Sequence, residues 1–162
     1  MNLRKIVAKL ALASVGFAFI QTAGAACLFT QGYWQNRAQN AGDASTLVWA
    51  SLSGDAFYLS GLTYAQVLQN QPRGNAYWVL AHQDVAAEAN ALVGGDLSGD
   101  GMATALAASE QLLAKYTPAQ IGALPKGDPL RSQFIQLAGI LDQWNNGLIG
   151  TGICLPPNIG NN

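Results

Sequence analysis

Apolar residues recur at steps of three and four along most of the chain, the period of helices that bury one face. The clearest stripe is Leu130, Phe134, Leu137, Leu141, Trp144 and Leu148. It predicts a helix that Asp128-Pro129 starts, that runs to about Asn146 and that Gly147 caps. Upstream, Met102, Ala105, Leu106, Ser109, Leu112, Leu113 and Tyr116 form the buried stripe of a helix over about 102–116. Tyr77, Leu80, Ala81, Val85 and Leu92 do the same for a longer helix over about 76–93, with Asn75 as N-cap and Gly94-Gly95 as the stop. Two shorter starts carry the capping-box pattern, in which a Thr side chain and a Gln three residues on satisfy each other's backbone N–H groups. One is Thr63 with Gln66, ahead of 64–70. The other is Thr117-Pro118 with Gln120, ahead of a single turn that Gly122 ends. Gln71-Pro72-Arg73-Gly74 breaks the chain between the first short helix and the long one.

The stretch 28–62 is less regular. Thr30 is placed to cap a short helix over 31–37. The apolar run TLVWASL at 46–52 suits either a strand or a helical turn. The expected fold is therefore mainly α: a small single-domain helical bundle with a loop-rich N-terminal third packed over it.

The first 25 residues change the picture, because they read as a secretory signal peptide rather than as fold. Arg4, Lys5 and Lys9 form a positive region, 10–20 is an apolar run of eleven residues, and Ala23-Gly24-Ala25 is an A-x-A cleavage site. A transmembrane span needs about 20 apolar residues, so the run is too short for one. A lipid on Cys27 is disfavoured, because Gly24 stands where a lipobox has Leu. The expectation is an exported protein, extracellular or periplasmic, whose domain spans 26–162 and lacks a transmembrane anchor. That span carries five cations against nine carboxylates, a net charge of −4. A mildly acidic domain argues against nucleic acid or an anionic membrane as the main partner.

Export makes a Cys27–Cys154 disulfide the default reading of the two cysteines, with a pair of free buried thiols as the alternative. Their separation excludes a C-x-x-C redox site. Closing a loop of this length stabilises by about 4–5 kcal/mol in the chain-entropy model. The bundle is thus expected to be closed by one disulfide.

Candidate chemistry is sparse. His82 is the only histidine. It shares a face with Trp78 and Val85, with no readable nucleophile or orienting group, and a single histidine removes the usual zinc sites. A structural ring that bonds a backbone carbonyl is the plainer account. Asp96, Ser98 and Asp100, with Gly101, resemble the start of a calcium loop. Position 12 of that register is Ala107 where a bidentate Glu belongs, and Glu110 comes three residues late. A polar turn between helices competes with calcium there. Asp84 and Glu88, four apart on one helix, could form an acid/base pair if their environments differed; a solvated helix face is the plainer expectation. The aromatics are numerous. The adjacent pairs Tyr33-Trp34 and Tyr77-Trp78 cannot both point inward, so one of each pair is a candidate for an exposed binding surface.

Four blocks carry a resemblance. Cys27-Leu-Phe-Thr-Gln-Gly-Tyr-Trp-Gln-Asn-Arg resembles the opening of a family of uncharacterised bacterial secreted domains beginning C-x-x-T-Q-G-[YF]-W-K-N-H. Leu62-Thr-Tyr-Ala-Gln-Val-Leu, then Pro72-Arg-Gly-Asn-Ala-Tyr with Leu80-Ala-His-Gln, and Leu141-Asp-Gln-Trp-Asn-Asn-Gly-Leu-Ile-Gly resemble its later blocks in order. The resemblance implies an extracellular domain and brings no catalytic residues. Gln35 and Arg37 depart from the family's Lys and His.

Three functions remain open. The first is a non-enzymatic surface or matrix module that binds a polysaccharide or protein through exposed aromatics, with Tyr33, Trp34, Tyr77, Trp78 and His82 as candidates. The second is a cell-wall or matrix polymer hydrolase using paired carboxylates. The third is a calcium-stabilised structural module.

Overall fold

A computed structural model describes residues 28–37 and 44–150. The expected export signal, the C-terminal tail and both cysteines of the expected disulfide lie outside the described residues. Seven helices occur among those described: α1 Gln31–Arg37, α2 Ala44–Leu52, α3 Tyr64–Gln69, α4 Ala76–Leu92, α5 Met102–Lys115, α6 Pro118–Gly122 and α7 Pro129–Asn145. The ambiguous run at 46–52 is helical. One isolated antiparallel bridge, Ala56 with Thr63, closes the loop between α2 and α3.

Helix ends follow from side chains that satisfy orphan backbone groups. Thr63 and Thr117 form full capping boxes with Gln66 and Gln120. Asn75 and Asp128 accept from the first-turn N–H groups of α4 and α7. The C-termini of the two long helices use one device. The Gly94 N–H donates to Ala91 O and the Gly95 N–H to Asn90 O; the Gly147 N–H donates to Trp144 O and the Leu148 N–H to Gln143 O. Each is a Schellman motif with the glycine at positive φ, +102° at Gly94 and +65° at Gly147. Leu148, placed on the α7 stripe from spacing, lies beyond this stop and is 74% exposed. The helical period no longer aims it once the chain turns left-handed.

The architecture is a single helix surrounded by the others. α4 packs against each of the other six helices, most extensively α7 and then α5. Its sequence, AYWVLAHQDVAAEANAL, is rich in alanine, so neighbouring backbones can approach closely on several sides. Twelve of its 17 residues are buried, which is the behaviour of a helix with no solvent face. Large side chains from around it fill the core: Trp34, Phe57, Tyr64, Met102, Leu113, Phe134 and Trp144 are each fully buried.

A helix buried on all sides must satisfy its polar side chains inside. Asn90 does so completely. Its Oδ1 accepts from the Phe29 N–H (2.9 Å) and the Trp34 indole N–H (3.1 Å). Its Nδ2 donates to Phe29 O (2.8 Å) and to Asn145 Oδ1 (2.9 Å). Asn145 in turn donates to Gln83 O and Gln83 Oε1. One amide thus ties the N-terminal segment, α1, α4 and α7. Replacing Asn90 with Ala strands several buried donors and acceptors at about 1–3 kcal/mol each. Asn90→Ala should therefore lower stability in urea by about 3 kcal/mol or more, whereas Gln143→Ala on the exposed face of α7 should change it by less than about 0.5 kcal/mol.

Candidate functional site

Two features stand apart from ordinary core and surface. One is an open groove where α3 hands over to α4. The other is a cluster of carboxyl groups inside the bundle.

The groove has a volume of about 460 Å³ and is lined by Gln69, Asn70, Gln71, Arg73, Asn75 and Trp78 around Pro72. Its floor is a tight turn. The Asn75 N–H donates to Pro72 O (2.9 Å), and the two residues between, Arg73 and Gly74, have φ of +46° and +82°. These are the marks of a type I′ turn, a conformation that costs a residue with a side chain of order 1 kcal/mol. Arg131 on α7 holds the turn by donating from Nη2 to Gly74 O (3.1 Å). Asn75 is committed to capping α4 and to donating to Pro118 O. Among the described residues, the side-chain amides of Asn70 and Gln71, the Arg73 guanidinium and the Trp78 indole N–H make no intramolecular hydrogen bond. They are available to a ligand. Beside the groove, and sharing Gln69 and Asn70 with it, lies a more apolar hollow of about 370 Å³ walled by Leu62, Ala65 and Gln66.

His82 supports this site from beneath. Its Nε2–H donates to Asn70 O (2.7 Å), and its Nδ1 accepts from the Gln31 side-chain amide (3.3 Å). Burial lowers its pKa from the ordinary value, so the neutral ring that this pairing needs is favoured. The histidine positions the end of α3 on α4 and does not face the groove as a ligand.

The aromatic candidates separate. Trp34 and Tyr77 are fully buried, so the expectation that they offer a binding surface is corrected. Trp34 is held by Asn90 and by its edge-on contact with Tyr33, and Tyr77 packs beside Phe134. Tyr33 is half-buried, stacked on Phe29 at 4.1 Å, with its hydroxyl bonded to Ser45. Trp78 is half-buried, stands edge-on to Tyr77 and opens into the groove. In each adjacent pair one ring is core and the other reaches the surface.

The calcium candidates Asp96 and Asp100 each accept a backbone N–H. Asp96 Oδ1 accepts from the Ser98 N–H (2.8 Å), a local Asx turn. Asp100, at φ +51°, accepts from the Gly150 N–H through Oδ2 (3.1 Å) and so docks the segment after α7. Among the described residues, no group of three His, Cys, Asp or Glu side chains is arranged to hold a metal ion.

The carboxyl cluster was not legible as such in the sequence. Asp84 and Glu88 are 0% and 1% exposed, which corrects the expectation of a solvated face. Glu88 accepts from two tyrosine hydroxyls: Tyr58 O–H to Oε1 (3.0 Å), and Tyr64 O–H, which lies 3.0 Å from Oε1 and 2.9 Å from Oε2. Tyr58 reaches it from the α2–α3 loop at a left-handed φ of +40°, and Tyr64 from the first turn of α3. On the other side, Ser109 of α5 contacts Asp84 Oδ1 and Leu106 O. Glu110, also buried, follows it, and its Oε1 meets no donor.

Proton counting fixes the state of this cluster. Asp84 and Glu88 are buried neighbours whose charges oppose each other, and Asp84 Oδ2 meets no donor. The single Ser109 hydroxyl proton serves one of its two acceptors. Glu88 already receives two tyrosine donors, so the acid proton belongs to Asp84. Burial, then the neighbouring Glu88 charge, raises the Asp84 pKa well above the ordinary carboxyl range. Burial also raises Glu88 against the lowering effect of its hydrogen bonds, and pushes Glu110 up to about 7. No lysine, arginine or histidine side chain among the described residues offsets these charges.

The comparisons with known proteins are brief: the chain matches no family model, no curated protein and no solved structure.

The pKa shifts define a pH dependence. Between the ordinary carboxyl range near 4 and the raised folded values, the native state holds more protons than the unfolded chain, so stability falls as pH rises. The melting temperature should be higher at pH 5 than at pH 8, with each 1 kcal/mol worth roughly 4 °C for a domain of this size. Asp84→Asn removes one of the buried charges at similar shape and should raise the melting temperature at pH 8 while flattening the profile. Calorimetry from pH 4 to 9 on both proteins tests this.

Proposed function

We propose that this chain is an exported, non-enzymatic module that binds an extracellular polysaccharide in the groove between α3 and α4, with Trp78 as the stacking platform. The observation that carries the reading is the coincidence of one partly exposed Trp with uncommitted amides and a guanidinium around a strained turn. Sugars present an apolar ring face and a fringe of hydroxyls. An aromatic ring answers the first, and planar amide and guanidinium donors answer the second. Strained backbone in a rigid setting is a recurrent mark of functional sites, and Arg73 is such a residue.

The export signal, the expected disulfide and the resemblance to secreted bacterial domains support an extracellular setting, and no described helix is long and apolar enough to cross a membrane. A hydrolase built on Asp84 and Glu88 finds less support. Both carboxyls are sealed in the core, where neither a glycosidic oxygen nor an attacking water reaches them.

The test is sedimentation of the purified protein with insoluble peptidoglycan, chitin and cellulose, with assay of the supernatant for released sugar. Retention on at least one polymer without release is expected, and Trp78→Ala should reduce it about tenfold or more. Equal retention of Trp78→Ala and the parent would move the site elsewhere. Released sugar would replace this reading with an enzymatic one.

A further inference from the structure

We infer that the Asp84–Glu88–Glu110 cluster is a proton-dependent latch that holds α3 against α4, and so sets the shape of the polysaccharide groove proposed above. This regulation rests on that functional reading for its consequence and on the core geometry for its mechanism.

The connection is direct. The groove is walled by the C-terminal end of α3 (Gln69, with Asn70 after it) and by the first turn of α4 (Trp78, behind its cap Asn75). α3 is held by its buried Val67 and Leu68, by backbone bonds from Tyr64 N–H to Asp55 O and Ala65 N–H to Ser53 O, by the Gln69 side chain to Gln35 O, and by two polar contacts with α4. Its N-terminal residue, Tyr64, donates to Glu88 of α4; at its other end Asn70 O receives the His82 proton. The loop leading into α3 is fastened by Tyr58 to the same Glu88. Two hydroxyls from the α2–α3 region therefore converge on one carboxylate, whose buried neighbours are Asp84 and Glu110. With Asp84 and Glu110 protonated, one negative charge remains, on Glu88, and Tyr58 and Tyr64 donate to it. With Asp84 and Glu110 ionised, three buried negative charges face one another in a medium of low dielectric. The relief available is to admit water, and the movable wall is α3, which is six residues long, whereas α5 and α7 are long helices packed along α4.

Among the described residues, the other side chains packed around the cluster do not offset the charge. α7 turns Phe134, Ala138, Leu141, Trp144 and Asn145 inward, all uncharged. α2 and α6 carry no titratable side chain. α1 contributes Tyr33 at its outer face, bonded to Ser45, and Gln31 towards His82. On α4 itself, Tyr77 is held neutral by burial, with the Asp84 charge acting in the same direction.

Hydrogen exchange on the full exported chain tests the latch, and retention on peptidoglycan, chitin and cellulose tests its consequence. After correction for intrinsic rates, amide protection in α3 should fall at least tenfold from pH 5 to pH 8 relative to α7. In Asp84→Asn the fall should be reduced to the part that Glu110 contributes. Tyr64→Phe removes the α3 side of the contact and leaves the carboxyls in place; it should show low α3 protection already at pH 5. Protection in α3 that tracks α7 at every pH, or a Tyr64→Phe profile equal to the parent's, would overturn the latch. Polymer retention should weaken across the same pH range in the parent and weaken less in Asp84→Asn. Retention that stays flat while α3 opens would overturn the coupling to the groove. Absence of retention at every pH would overturn the binding function and the coupling with it, and the exchange data would still decide the latch.

Discussion

The organising constraint is that α4 has no face in water. Every other described helix leans on it, and its alanines let their backbones come close. Hydrophobic contact supplies most of the favourable free energy of such an arrangement. It also removes the usual escape for polar side chains, which on a surface helix would simply turn outward. The polar residues on α4 are therefore forced to find partners in other elements, and those partners determine how the elements are set. Asn90 illustrates the result. Its amide is matched donor for acceptor by Phe29, Trp34 and Asn145, so the N-terminal segment and α7 are fixed relative to α4 and to each other. Fully satisfied buried networks of this kind specify a unique arrangement, since any slip leaves several groups unpaired at once.

The same constraint has a second outcome elsewhere on the same helix. Asp84 and Glu88 also look for partners inside, and they find hydroxyls rather than cations. An amide network is satisfied at any pH. A carboxyl network with three acids and only hydroxyl donors is satisfied only while it holds protons. The two networks thus give α4 a pH-independent side around Asn90 and a pH-dependent side around Glu88. Unlike a buried ion pair, which is lost when either partner is removed, this cluster gains from neutralisation, because the acid form is the one the core solvates best.

Much of the fold was legible because its signals are local. The capping boxes at Thr63 and Thr117, the Asn75 and Asp128 caps and the glycine stops each specify a boundary within a few residues, and the structure places helices α3 to α7 within a residue or so of those marks. The 46–52 run was not decidable, since a short apolar segment fits either period until its neighbours are known. The cluster was missed for a different reason. Asp84 and Glu88 continue the spacing of Tyr77 and Ala81 on the buried side of α4, so the register carried the information. The prior that carboxylates face water overrode it. Tyr58, Tyr64, Ser109 and Glu110 come from three other segments, and nothing local announces that they meet. Trp34 and Tyr77 show the same limit for aromatics: an adjacent pair implies one ring inside and one outside, and only the packing tells which.

Where the groove sits follows from the same logic. In a bundle built around one buried helix, ligands cannot be held along its length, because that length is already covered. Free polar groups and open volume collect where the chain enters the helix, at the junction of α3 and α4, and there the connection is made by a turn with Arg73 and Gly74 both left-handed. Such a turn is affordable only because its surroundings over-determine it: Arg131 holds it from α7, Asn75 caps the helix that follows, and His82 secures the carbonyl of Asn70 just before it. The contacts that stabilise the turn leave Asn70 and Gln71 amides, Arg73 and Trp78 facing outward with nothing to bond. Strain is held beside these uncommitted polar groups, and the neighbouring element, α3, is tied to α4 in part through the Tyr64–Glu88 contact. The groove therefore adjoins the element that the Glu88 carboxylate ties to α4.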